Sequence, residues 1–315
     1  MKKVYKVMSS VALAGMILSG VAWGTAQAAT QPSAKAQSAV SGHATQEGVT
    51  LSVAKALYDG NHVRIELKRS GKGFDGKLVG GEIDEKTGDY LLGKGSISNI
   101  KMAINGKSIN EYGGGDHAKR PTLVWGPKGN DTAIIYLTDA SQLGGNLEAF
   151  PDKFQLTAEI DLEGHKKPFK LKIPVQKTAE KPVVVKPNVT KASGNVTLKL
   201  NKATLTSTSS RLQLIMEGYK QHPEANQDIL FDFVDDQGHI IERISGSGTD
   251  ENNTKGDMYY DFVLEAVGKS AKSITVKPFK PVTIDDGSGR FEVDANGEIV
   301  KQYIKELEMT VSVKK

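Results

Sequence analysis

Between Phe154 and Leu162 the apolar residues fall on every second position. Phe154, Leu156, Ala158, Ile160 and Leu162 alternate with Gln155, Thr157, Glu159 and Asp161. A period of two sends successive side chains to opposite faces of an extended backbone, so this segment is a strand with one buried and one wet face. Phe169, Leu171, Ile173 and Val175 repeat the pattern after a short turn at 163–167 containing Gly164, which predicts a hairpin. Leu307, Met309, Val311 and Val313 predict a last strand. Turn-forming pairs such as Asp59-Gly60, Asn105-Gly106 and Asn296-Gly297 recur between short apolar runs, as in sandwiches of antiparallel sheets. A turn or short helix is expected only at Ala140–Glu148 and Ser288–Ile304. Gly71–Gly95 is too rich in glycine for a central strand and is expected to be a long mobile loop or an irregular edge.

A chain of 315 residues is long enough for two cores. An internal repeat points the same way. Val49-Thr50-Leu51, Lys55-Ala56 and Arg64 reappear as Val196-Thr197-Leu198, Lys202-Ala203 and Arg211, all at one offset of 147 residues. Each half therefore opens with the same strand, turn and strand, with Arg64 or Arg211 on the exposed side of the second strand. The expected fold class is all-β, with two tandem immunoglobulin-like antiparallel sandwiches spanning 48–177 and 195–315. Residues 178–194, interrupted by Pro182 and Pro187, are expected to be an extended linker. Residues 29–47, rich in Ala, Ser, Gln and Thr, bury too little to offset ordering entropy and are expected to be a flexible leader.

The first 28 residues read as an export signal. Met1–Lys6 is basic, Val7–Gly24 is apolar, and Ala26-Gln27-Ala28 offers small residues at both ends of a cleavage triplet, placing the cut after Ala28. Retention as an anchor is the alternative, because an 18-residue run lies near the lower limit of a membrane span. The rest of the chain is expected to work outside a bacterial cytoplasm, secreted or associated with the wall. The formal charge of +4 owes three units to Lys2, Lys3 and Lys6, so the remainder is near neutral and carries no basic stripe interleaved with aromatics. A nucleic-acid partner is not expected. With no cysteine, disulfides, thiolate nucleophiles and thiolate zinc sites are excluded.

No catalytic signature survives its context. Gly71, Gly73 and Gly76 have dinucleotide-fold spacing, but Lys77-Leu78-Val79-Gly80-Gly81 cannot open the helix that would cradle a phosphate. Ser52-Val53-Ala54-Lys55 has acyl-enzyme spacing but lies on a strand, where a separation of three puts the two side chains on opposite faces. The six histidines have no metal-binding spacing, and neither a metal nor a cofactor is expected. Asp294-Ala295-Asn296-Gly297-Glu298 resembles part of a calcium loop without its full pattern. The bland reading is hairpin-turn acids that bind local amides. Tyr112, His117 after three glycines, and Trp125 are the candidate contact residues: an aromatic platform beside a flexible loop.

These segments resemble a family of bacterial exported proteins of unknown activity. Its modules occur as extracytoplasmic parts of membrane-bound anti-sigma-factor-like proteins and in secreted two-domain chains. The first half resembles it at residues 48–59, Pro151–Thr157 and Pro168–Val175. The second resembles its immunoglobulin-like partner domain at Val196–Met216, Phe231–Gly238 and Ser273–Phe279. The resemblance implies a sandwich framework and no catalytic residues; no sigma-binding domain precedes the apolar segment, which argues against a direct anti-sigma role. The expectation is a secreted, non-enzymatic envelope protein that binds a wall polymer or another exported protein through loops or sheet edges. The alternatives are an envelope hydrolase using dispersed acids such as Asp235 and Asp250, and a calcium-dependent adhesive module.

Overall fold

A computed structural model describes residues 42–83, 90–226, 228–268, 270–284 and 290–313. The signal segment, with Ala26 and Ala28, lies outside the described residues. The chain is mainly strand and divides into two compact units whose main boundary falls between Lys181 and Pro182, with Gln142–Gly145 grouped in the second.

The first unit contains β1 (His43–Gln46), β2 (Val49–Tyr58), β3 (Val63–Gly71), β4 (Gly81–Ile83), β5 (Tyr90–Leu92), β6 (Ile97–Ile104), β7 (Lys107–Ser108), β8 (Thr122–Gly129), β9 (Thr132–Thr138), β10 (Lys153–Leu162) and β11 (Phe169–Gln176). One sheet runs β1-β2-β3-β9-β8 and the other β11-β10-β6-β7, while β4 and β5 form a separate hairpin. The predicted alternation sets the packing. Leu156, Ile160, Phe169 and Leu171 point inward to meet Leu51, Ile65, Leu67 and Leu137 of the opposite sheet in one core. Each such burial is worth roughly 1.5–3 kcal/mol.

The second unit contains β12 (Val183–Val185), β13 (Val189–Ser193), β14 (Val196–Leu205), β15 (Ser209–Glu217), β16 (Leu230–Asp235), β17 (Arg243–Thr249), β18 (Met258–Glu265), β19 (Ser273–Pro281), β20 (Lys301–Tyr303) and β21 (Met309–Ser312). Here β14-β15-β18-β17 form one sheet, and β16, β19 and β21 form the other, with β20 continuing the edge beside β19. Counting from β2 and from β14, seven strands in each unit follow the order ABED in one sheet and CFG in the other, the strand order of a constant-type immunoglobulin domain.

The repeat is structural and reaches beyond the shared letters. Val53 pairs with Leu67 and Leu200 with Leu214; Lys55 pairs with Glu66 and Lys202 with Gln213. Both hairpins shift register by one residue at the same place, a bulge at Ala54 and at Asn201. The turns match as well. Asp59 Oδ1 accepts the amides of Asn61 (2.9 Å) and His62 (3.1 Å), and Thr206 Oγ1 accepts those of Thr208 (3.2 Å) and Ser209 (3.0 Å). A carboxylate and a hydroxyl thus close the same tight turn. Gly71 ends the second strand at φ +108°, where an added Cβ would lie 2.1 Å from the Gly48 carbonyl oxygen, and Gly218 ends its counterpart at φ +65°.

Three expectations are corrected. The leader does not stay unstructured to residue 47, because His43–Gln46 is a strand antiparallel to the start of β2. The linker is not a spacer: β12 and β13 pair with successive halves of β14. Val183, Val185 and Val189 lean on the second core, and the prolines fall before β12 and between it and β13, where a missing amide costs no ladder bond. The turn or short helix expected in Ser288–Ile304 is a turn at 295–297, enclosed by the Val293–Ile299 bridge ahead of β20. Arg211 is buried rather than exposed, its guanidinium bonded through two nitrogens to Asp261 at 2.9 and 2.6 Å. Ala140–Glu148 is a run of turns.

Candidate binding surface

The chain between β6 and β8 carries two of the three expected contact residues. Ser108 opens a 3-10 turn at Ile109–Gly115: its hydroxyl accepts the Asn110 amide while Glu111 reaches back to the Ser108 amide. That turn sets Tyr112 half-buried against the first core, with Lys107 Nζ 4.7 Å from its ring centroid. Burial pushes the Tyr112 hydroxyl pKa above its ordinary value. Gly113, Gly114 and Gly115 are all left-handed, and they fold the chain back into a second 3-10 turn at His117–Lys119.

His117 is exposed, and its Nδ1 lies 3.2 Å from the Arg120 guanidinium, which also donates to the Gly115 carbonyl. Trp125 stands on edge strand β8 opposite Ile135, its ring partly exposed. The three residues therefore engage different neighbours: Lys107, Arg120 and the flank of β9.

Asp116 accepts the Lys119 ammonium at 2.8 Å and the Ala118 amide at 3.0 Å, and these bonds hold its carboxyl below the usual aspartate range. A depressed folded-state pKa gives stabilisation that is complete above the unfolded value of 3.8 and is lost as the pH falls through the folded value. Lys119→Met is expected to let Asp116 titrate closer to an ordinary aspartate. A carboxyl-carbon NMR titration of both proteins checks this; identical curves would refute it.

Three of the exposed large apolar side chains lie in the glycine-rich segment expected to be a long mobile loop or an irregular edge. Ile83, Tyr90 and Leu91 are 48%, 60% and 53% exposed on the β4–β5 hairpin, with Ile83 directly opposite Tyr90. The base of this hairpin is tightly built. Leu78 is fully buried, its amide donating to the Asn130 carbonyl (2.7 Å) and its carbonyl accepting the Ile97 amide (2.8 Å). Arg69 holds the two chain segments together. Its guanidinium donates to the carbonyls of Gly76 and Gly95, each at 2.7 Å, and to Asp131 at 2.6 and 3.0 Å, and it stacks 3.8 Å from the Phe74 ring centroid. Gly76 and Gly93 touch backbone to backbone, so a Cβ on Gly76 would sit 2.7 Å from Gly93 Cα. Gly76, Gly81, Gly93 and Gly95 serve close packing, and the sequence signal was the run Tyr90-Leu91-Leu92 among the glycines.

The dispersed carboxylates are committed locally. Asp235 Oδ1 accepts the amides of Gln237 and His239, both at 2.9 Å, and its Oδ2 lies 3.1 Å from the His239 ring. Burial alone would raise its pKa, and the hydrogen bonds from His239 and Gln237 bring it below the ordinary value. Asp250 pairs with Lys220 at 3.5 Å. Asp294 Oδ1 accepts the amides of Asn296 (2.8 Å) and Glu298 (2.9 Å), closing its own turn. Asp232 takes the Tyr303 hydroxyl (2.7 Å) and the Lys301 ammonium (2.8 Å), tying β20 to β16 across β19. Burial and that carboxylate hold the Tyr303 hydroxyl pKa far above the ordinary value. Among the described residues no three His, Cys, Asp or Glu side chains converge as metal ligands. None of the helices described is long and apolar enough to cross a membrane.

Residues 183–311 match a family of unknown function (DUF5643), a span that begins at β12 and so includes the segment expected to be a linker. The fold is similar to that of a conserved domain protein from Bacillus anthracis, at TM-score 0.50 and 12% identity over 87% of this chain and 92% of that one. Bovine butyrophilin aligns over 82% of this chain and 95% of its own at 9% identity, with a TM-score of 0.20 that carries no argument. No curated protein sequence matches. These likenesses support an all-β member of an uncharacterised bacterial group and bear on fold alone.

Proposed function

We propose that this is an exported, non-enzymatic protein of the bacterial envelope that captures a wall polymer or another exported protein through the β4–β5 hairpin of its first sandwich. The observation that carries the reading is the exposure of Ile83, Tyr90 and Leu91 on a hairpin whose base is clasped by Arg69. Ile83 and Tyr90 pair on one face of the hairpin and Leu91 lies on the other; exposed large apolar side chains mark contact surfaces, and a tightly held base lowers the entropy lost on docking. The export signal supports the location. The kinship with ectodomains of anti-sigma-factor-like proteins belongs to the same proposal and accounts for binding modules without reactive groups.

The test is capture of purified envelope fractions, wall material and exported proteins separately, by the wild-type protein and by an Ile83→Ser, Tyr90→Ser, Leu91→Ser variant. Loss of at least tenfold in apparent affinity is expected, with little change in thermal midpoint because the replaced side chains are already in water. Undiminished capture by the folded variant would overturn the proposal.

A further inference from the structure

Strand register in the second sheet of the first unit gathers lysines that are scattered along the chain. The inward residues of β6, β10 and β11 fill the core, which leaves Lys101, Lys153, Lys170 and Lys172 on the outer face. Lys101 and Lys170 flank Glu159 from its two neighbouring strands, Lys172 faces Thr157, and Lys153 faces Gln176. The turn joining β10 to β11 adds Lys166 and Lys167 at one end. All six lysines are exposed, and among the described residues only Lys170 holds an ion pair, with Glu159 at 2.7 Å. The acids of the same face and turn are Glu159, Asp161 and Glu163.

Alternate residues of one strand are about 6.8 Å apart, so Lys170 and Lys172 repel one another at short range, while Lys101 stands two strands, about 9.6 Å, from Lys170 with Glu159 between them. A solvated face needs no such excess. It suits an anion whose charges repeat along a line, because one chain can meet several lysines in succession and release their counterions. The outward positions of the three strands carry no large apolar side chain to enter a bilayer and no aromatic ring to stack on a base.

We propose that this face binds a linear polymer carrying phosphodiester charges. The proposal rests on the envelope reading only for where such a polymer is met, and its residues are separate from the β4–β5 hairpin.

The experiment titrates the purified protein with long-chain inorganic polyphosphate at 50 and 200 mM salt. Four to six lysine contacts predict about a 100-fold loss of affinity across that interval. Lys101→Gln, Lys170→Gln, Lys172→Gln together are expected to weaken binding at least tenfold and to flatten the logarithmic salt slope by about 2. A charge-matched control, Lys181→Gln, Lys186→Gln, Lys191→Gln, is expected to bind as the wild type does. Glu159→Gln, which removes a competing anion, is expected to bind more tightly.

The hairpin variant is expected to bind polyphosphate unchanged, so failure of the hairpin reading and failure of this one are separable. Equal loss in both lysine variants, or no loss in the first, would overturn the proposal. So would binding to anionic phospholipid vesicles as tight as to polyphosphate with the same dependence on Lys101, Lys170 and Lys172.

Discussion

Arg69→Met is expected to lower the unfolding free energy of the first sandwich by about 3–5 kcal/mol, and to expose the β4–β5 segment to protease. The guanidinium is 1% exposed and donates to the buried Gly95 carbonyl and the partly buried Gly76 carbonyl. Methionine of similar volume would leave both acceptors without that donor, at about 1–3 kcal/mol each, and would lose the stacking on Phe74. Asp131 contributes less, because its side chain is 48% exposed and water can replace its partner. Arg69→Lys is expected to lose about half as much, since an ammonium keeps the charge but cannot span Gly76, Gly95 and Asp131 as a planar fork does. Urea unfolding followed by Trp125 fluorescence measures both variants; a midpoint unmoved by Arg69→Met would show that the clasp is incidental.

In the second sandwich the largest effect is expected from Phe233→Ala, also about 3–5 kcal/mol. Phe233 on β16 is 2% exposed, with its ring centroid 5.1 Å from that of Phe262 on β18. Phe231 reaches the same ring at 5.4 Å, so the cluster bridges the two sheets. Removing this ring leaves a cavity that β-sheets on either side cannot collapse into, and the loss includes the tilted ring contact with Phe262. Phe233→Leu, which keeps most of the volume, is expected to cost only about 1–1.5 kcal/mol. Denaturation followed by circular dichroism separates the two; a loss below about 1 kcal/mol in the alanine variant would mean that Phe233 does not anchor this core.

Where apolar residues alternate, the sequence was enough to locate structure: β10 and β11 lie where Phe154–Leu162 and Phe169–Val175 placed them. The repeat was legible for the same reason, because inward residues such as Leu51 and Leu198 are held to type by packing. Segments governed by backbone needs were not. Proline at 182 and 187 looks the same in a free tether as at the ends of edge strands, and glycine at 76 and 93 looks the same in a loose loop as in a tight backbone contact. Tyr112, His117 and Trp125 are near one another in sequence and lie on two 3-10 turns and strand β8, each with its own neighbours. Lysines 101, 153, 170 and 172 are scattered in sequence, and only register reveals that they share one face.

The equivalent hairpins also set a hazard for the nascent polypeptide. An unfolded chain holds two first strands and two second strands of the same length, kinked at the same residue, and Lys202 could stand opposite Glu66 as Lys55 does. Cross-pairing between halves is therefore barely opposed by the hairpins themselves. Discrimination falls to the next strand inward, where Ile65 meets Ile135 but Leu212 meets the bulkier Phe262, and to vectorial delivery that lets the earlier half close before its twin emerges.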